Sequence, residues 1–403
     1  MNKIQDSISR RINEMKARTS SMKSENLYFY NQPVTEMLGG SKVRVDGREM
    51  SMYASYSYLG LIGHPRINKA AQEAITRYGT GTHGVRTLAG TLPIHVELEE
   101  TIAKFKHADE AITYSSGYVT NLSVISTLVG RGDYVFCDKL NHASIYDGCL
   151  MSHAKFERFN HNDLADLEKQ IREAPENSAK LIVVDAVFSM DGDLINLPLL
   201  RAICDKYHCW LMVDEAHSVG VLGVTGTGIE EHFNMADAID IKMGTLSKTI
   251  PSVGGYVASN HDIINYLRHA SRGYIFSAAL PPAQAAASNE AFKVILDEQW
   301  RVKKLCDNAK LFINNLTEAG FDTLRTQTAI VPIYCGSDQV AYEMTREAQM
   351  HDIFVLPVVS PAVPEGQARL RATVTANHTT EDIIHTVEVL TEAGKRLGLI
   401  KTP

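Results

Sequence analysis

Lys248 follows two hydroxyl residues, Thr245 and Ser247, just beyond an apolar run at 239–243. Two hydroxyls suit a phosphate, and a lysine amine suits an aldehyde once desolvation or a neighbouring cation leaves some of its nitrogen neutral. Asp214 and His217 follow another apolar run, 210–213, within VDEAHS. A carboxylate there could hold a pyridine nitrogen protonated, and a cationic ring accepts electrons from a carbanion at a substrate Cα. Taken singly, Lys248 also suits a surface cation, and Asp214 a helix cap.

The run Ser115, Ser116, Gly117, Tyr118 and Asn121 follows a third apolar segment and opens a helical one. Free N–H groups and the helix dipole attract a dianion at such a place, although many glycine-containing turns open helices without a ligand. His142, beyond Cys137 and Asp138, could stack on a flat cofactor or serve as a hydrogen-bonded core histidine. Arg371 could grip a carboxylate through two parallel hydrogen bonds, or form a surface ion pair. Gly79, Gly81, Gly84 and Gly90 surround Arg86 in GTGTHGVRTLAG. They match neither a Walker loop nor the dinucleotide fingerprint, so a flexible turn beside a site or a dimer contact is expected.

These residues need elements to position them. Short apolar runs at 111–114, 134–137, 181–184, 210–213, 239–243 and 255–258 read as strands, alternating with helical segments such as 163–173 and 198–207. That alternation predicts a parallel sheet covered by helices on both faces, with ligands beyond the carboxyl ends of its strands. From about residue 285 long amphipathic stretches lead to a strand at 329–334, a helix at 340–351 and a strand at 369–375, which predicts a smaller α+β lobe. The first fifty residues read as a helix and an arm able to pack on a partner subunit.

A chain of 403 residues exceeds what one core usually supports. Its net charge of −7 is spread over both signs, and no basic run is long enough for a phosphate backbone, so nucleic acid is not an expected partner. No apolar stretch reaches transmembrane length, and the charged residues 1–20 do not read as a signal peptide, so a cytoplasmic location is expected. The six cysteines lack C-x-x-C spacing and read as structural thiols in a reducing compartment.

In order and spacing, SYSYLG, SSGYVTN, DKLNHASIYDG, VFSMDGDL, VDEAHSVGVLGVTGTG, GTLSKTIPSVGG, IFSAALPP and PVVSPAVPEGQARLR resemble the α-oxoamine synthases. The resemblance runs from Ser55 to the ARLRATVTANH segment at Ala368. It implies an α/β fold of the pyridoxal-phosphate fold type I: a large domain with a mostly parallel seven-stranded sheet, and a smaller C-terminal α+β domain. The division expected is 1–50 for the helix and arm, 51–285 for the cofactor domain and 286–403 for the small domain.

The resemblance further implies that Lys248 takes the cofactor aldehyde, that Asp214 pairs with the pyridine nitrogen and that His142 stacks on the ring. Ser189 and His217 would touch the phenolic oxygen. Gly117, Tyr118 and Thr245, with Ser247 beside them, would hold the phosphate, and Arg371 the substrate carboxylate. Ser277 would reach the phosphate of a neighbouring subunit, which implies a homodimer with active sites at its interface. The activity implied is decarboxylative condensation of an amino acid with an acyl thioester on coenzyme A or a carrier protein.

The segment PVVSPAVP is most similar to the serine palmitoyltransferase branch and points to a long acyl chain, whereas Val85 and Arg86 are nearer the aminoketobutyrate ligase pattern. Glycine C-acetyltransferase or 8-amino-7-oxononanoate synthase chemistry is the alternative, with transamination as another reaction on the same fold. Three positions depart from the family pattern: Tyr56 where asparagine is usual, Val85 where a hydroxyl is frequent, and Ala186 where glycine is frequent. A non-catalytic partner subunit would be expected to lack Lys248, and a plain binding protein would need every motif to be coincidence.

Overall fold

The computed structural model describes residues 6–400, so the outer ends of the expected terminal segments, 1–5 and 401–403, lie outside the described residues. Helix α1 (Ser7–Ser24) is capped by Asp6, which accepts from the Ser9 amide at 2.8 Å. The expected arm is a meander of β1 (Val34–Gly39), β2 (Lys42–Val45) and β3 (Arg48–Met52). Its second turn is Asp46–Gly47, both at positive φ, the Asp-Gly signal of a tight hairpin.

Next come α2 (Pro65–Tyr78), α3 (Pro93–Phe105), β4 (Glu110–Tyr114), α4 (Gly117–Leu128), β5 (Tyr134–Asp138), α5 (Ala143–Ser152) and β6 (Lys155–Phe159). They lead to α6 (Leu164–Glu173), β7 (Lys180–Asp185), α7 (Leu197–Tyr207), β8 (Trp210–Asp214), α8 (Ile229–Phe233), β9 (Ile241–Ser247) and β10 (Pro251–Ser259). The seven strands β4 to β10 form one sheet in the order β4-β10-β9-β8-β7-β5-β6. Only β10 runs against its neighbours.

Alternate residues of the central strands enter different cores. Ile182, Val184, Leu211 and Val213 pack on one face, and Leu181, Val183 and Met212 on the other. Both faces are therefore dry, which is why these strands are continuous apolar runs. β6 escapes that criterion because its KFERF sequence forms a sheet edge where only Phe159 is fully buried, and charged side chains blunt edges.

The rest of the chain comprises α9 (His261–Ala270), α10 (Arg272–Ile275), α11 (Pro282–Asp297), α12 (Trp300–Glu318), β11 (Ile330–Gly336), α13 (Asp338–Met350), β12 (Ile353–Phe354), β13 (Pro357–Val358), β14 (Ala368–Thr373) and α14 (Thr380–Arg396). β11, β14 and β13 form an antiparallel sheet over a separate core that includes Phe312, Ile333, Leu370 and Leu390. Met22 and Leu27 join this core, and β3 pairs with β12, so the N-terminal segment packs on the small lobe of its own chain. The division expected after residue 285 falls inside α11, whose Ala285 and Phe292 pack in the large-sheet core.

The glycine-rich turn is tied down rather than loose. Arg86 holds Glu99 of α3 with two bonds of 2.7 and 2.9 Å and donates to Thr113 of β4, all buried. A Cβ at Gly90 would lie 2.1 Å from the Gly84 carbonyl, so only glycine allows this crossing. Glu99→Ala would strand the Arg86 charge in the interior, and should lower unfolding free energy in urea by about 3 kcal/mol or more. Adding Arg86→Met to that variant should recover part of the loss; equal stability of Glu99→Ala and native protein would contradict the pairing.

Candidate active site

Five strands deliver their carboxyl ends to one place. Beyond β4 lies the start of α4, beyond β5 His142, beyond β7 Ser189, at the end of β8 Asp214, and beyond β9 Lys248. With Tyr118, His217, Thr245 and Ser247 they line a cavity of about 240 Å³.

At one end of this cavity α4 begins. Ser116 caps it by accepting from the Val119 amide, which leaves the amides of the first turn pointing outward. Gly117 is packed so closely that a Cβ there would lie 3.0 Å from Thr245 Oγ1, and a Cβ on Gly255 of β10 would meet the Gly117 backbone at 2.8 Å. Thr245 and Ser247 share a hydrogen bond of 2.9 Å. They lie on β9 itself, since the strand runs on past residue 243. Backbone amides at a dipole-positive terminus with two hydroxyls beside them form a donor set for a phosphate dianion. The Tyr118 phenol is turned away and bonds Asp147, so this residue offers its amide.

At the other end Asp214 accepts from Asn121 Nδ2 at 2.8 Å and from the Ala216 amide at 2.9 Å. Beside it in register on β7 stands Asp185, a residue that the sequence motifs pass over. Burial first, then the Asp214 charge, holds the Asp185 carboxyl well above the ordinary carboxylate range. Asp185 accepts from the His142 amide at 2.7 Å and so fixes the start of α5. The His142 ring is anchored by Ser144 at 2.7 Å, and burial lowers its pKa, which favours the neutral imidazole. The signal for Asp185 was present: LIVVD ends as LMVD does, with an acid closing an apolar strand.

Lys248 lines the same cavity. Burial lowers its amine to about 8, against the opposing pull of Asp214 and Asp185. Its Nζ lies 2.8 Å from His217 Nε2, and His217 Nδ1 lies 2.5 Å from the hydroxyl of buried Tyr58. Burial, then the charges of Lys248 and Arg371, keeps the His217 imidazole neutral, far below its ordinary range. When Nε2 accepts from Lys248, Nδ1 carries the proton and donates to Tyr58. Tyr58 belongs to the SYSYLG motif, but periodicity gives no sign that its hydroxyl meets residue 217.

Arg371 reaches the site from β14. Its Nε donates to the Ser189 carbonyl at 2.6 Å and Nη1 to Thr373 at 3.0 Å, while Nη2 is buried with no partner among the described residues. An unpartnered buried guanidinium nitrogen is costly unless a ligand oxygen meets it. Ser277 is the predicted residue that this arrangement leaves out: it follows α10, next to the Val85–Ala278 bridge, and does not line the cavity of its own chain.

A family model described as aminotransferase class I and II matches residues 52–390. The chain belongs to this family. Its relatives include the 8-amino-7-oxononanoate synthase of Thermoanaerobacter pseudethanolicus, 43% identical over 368 residues that cover 91% of this chain and 93% of the relative. The serine palmitoyltransferase of Sphingobacterium spiritivorum is 41% identical over 375 residues, covering 93% and 94%. Among solved structures, Sphingomonas wittichii serine palmitoyltransferase superposes with a TM-score of 0.95 at 31% identity, over 98% of this chain and all of the other. Another serine palmitoyltransferase, solved with its PLP internal aldimine, also gives 0.95 at 33% identity over the same shares.

Within the family the chain falls in the α-oxoamine synthase group and has the pyridoxal-phosphate fold type I; it is a cofactor-dependent transferase. Its cavity fits pyridoxal 5'-phosphate by chemistry: phosphate donors at α4, a desolvated amine, and a carboxylate held by two donors. With the cofactor removed, an amine-directed reagent should modify Lys248 at a rate that climbs as pH rises through about 8, because the neutral fraction grows there. Exposed lysines should keep rising to about 10.4. Peptide mapping of the Lys248 peptide reads the difference, and a midpoint shared with exposed lysines would contradict the desolvated environment.

Proposed function

We propose that this chain condenses a small amino acid with an acyl thioester, releasing carbon dioxide and free thiol and giving an α-amino ketone. The observation that carries the reading is the buried, unpartnered Nη2 of Arg371 in the same site as the desolvated amine of Lys248. A carboxylate on that nitrogen places its Cα toward Lys248, and orientation decides which bond at Cα breaks.

Bound in the cavity, pyridoxal 5'-phosphate supplies the electron sink for the pair left at Cα. Asp214 would face the pyridine nitrogen and keep it cationic. Gly117, Tyr118, Thr245 and Ser247 would hold the phosphate, the first two through backbone amides. His142 would stack on the ring, and Ser189 and His217 would contact the phenolic oxygen. Lys248 Nζ would be the amine that receives the cofactor aldehyde, and as a free amine with pKa near 8 it can take the Cα proton as a general base at physiological pH. His142, held in the cavity by Ser144, would donate to the oxyanion that develops at the thioester carbonyl.

The acyl donor is a long-chain thioester, as in the relatives named serine palmitoyltransferase, whose branch the segment 357–364 resembles. Relatives named 8-amino-7-oxononanoate synthase match equally well and support a shorter, carboxylated acyl group as the second reading. The enzyme acts in the cytoplasm as a homodimer in which Ser277 completes the phosphate site of the neighbouring subunit. No helix among the described residues is long and apolar enough to cross a membrane.

Incubation with alanine or serine and coenzyme A thioesters of graded length should yield carbon dioxide and thiol in equal amounts, with the amino ketone identified by mass. A keto acid without carbon dioxide would instead reveal transamination. Lys248→Ala should fold, lose the native visible band of the cofactor and turn over at least about 10³-fold more slowly; near-native turnover would refute the role of Lys248.

A further inference from the structure

Tyr56 stands where the family pattern usually carries asparagine, and the fold puts its ring at the mouth of the site. The Arg371 guanidinium carbon lies 4.8 Å from the ring centroid and Lys248 Nζ 5.7 Å from it. The His217 ring is 5.9 Å away. Tyr56 also walls an outer cleft of about 490 Å³ that reaches Lys248 past Ile62, Ile67 and Ala287. The cofactor cavity shares Lys248 and Ser247 with this cleft, but not Tyr56. The phenol therefore lies on the substrate side of the amine, opposite the donors that suit the cofactor.

We propose that Tyr56 selects the amino acid: its ring roofs the gap between Arg371 and Lys248 and admits only a small, unbranched side chain. The inference rests on the reading of Arg371 as the carboxylate anchor and Lys248 as the base. An amino acid bound that way spans the two groups that flank the ring, so its Cα passes against the aromatic face. With the cofactor bound in the inner cavity, a substituent at Cα would have to fit beneath the Tyr56 ring.

Tyr56 is a rigid wall. It has two side-chain torsions, and the guanidinium on its face, itself held by Ser189 and Thr373, restrains it through a cation–π contact. Asparagine at this position would be shorter and would leave the gap open toward the cleft. Glycine, alanine and serine fit a roofed gap, whereas leucine and phenylalanine would have to displace the ring and break its contact with Arg371.

The test titrates the holoenzyme with glycine, L-alanine, L-serine, L-leucine and L-phenylalanine, reading half-saturation from the visible absorbance of the cofactor. Native protein and Tyr56→Phe should bind the small amino acids at least about 100-fold more tightly than leucine, since both keep the ring. Tyr56→Ala should narrow that ratio at least about tenfold, with Tyr56→Asn in between and melting temperatures near native because the residue is 44% exposed. An unchanged ratio in Tyr56→Ala and Tyr56→Asn, or a native preference for leucine or phenylalanine, overturns the role of Tyr56 alone. No response of the native protein to any amino acid overturns the synthase reading and this inference with it.

Discussion

The site depends on one lysine amine kept out of water beside carboxylates that pull toward its charged form. Desolvation wins, leaving Lys248 near 8 rather than in the ordinary lysine range. Had the two acids beside it both favoured charge without restraint, the amine would be pinned as a cation and useless as a nucleophile. The structure avoids this by placing Asp185 next to Asp214 in a dry strand pair, where burial raises the Asp185 carboxyl well above its usual range. Asp214 instead receives two hydrogen bonds, from Asn121 and from the Ala216 amide. Adjacent acids in adjacent strands thus have different surroundings and different work.

This arrangement requires a sheet that is buried on both faces, because such a sheet keeps solvent from the acids that close its central strands, Asp185 and Asp214. The alternating entry of Leu181 to Val184 into two cores is the direct expression of that requirement. It is also what made the fold legible, since a strand dry on both sides reads as a nearly continuous apolar run. β6 and the meander of β1 to β3 were hidden because they are edge or surface strands whose polar residues carry no such pattern, although the Asp-Gly hairpin signal at 46–47 was there to be read.

The site was legible to the extent that its chemistry follows strands in sequence. Lys248, Asp214, His217, His142 and the start of α4 all stand at strand ends, and the structure gathers them in one cavity. What could not be read was contact between distant segments: the Tyr58 hydroxyl on His217, and Asp185 holding the His142 amide. Nothing in local sequence fixes which of several buried hydroxyls will meet a given imidazole, because that depends on how the loop at 55–61 lies across β8.

The small lobe is part of the same balance. Arg369 pairs with Asp191 at 2.6 Å and Arg371 with the Ser189 carbonyl at 2.6 Å, so two neighbouring arginines of β14 clamp one loop of the large sheet. Farther along that loop Asp193 is held by His161 of the large domain, whose burial is outweighed by its bonds to Asp138 and Asp193, which raise it to about 10. The Ser189 loop is therefore held from both lobes, and any shift of the small lobe moves Arg371 and that loop together.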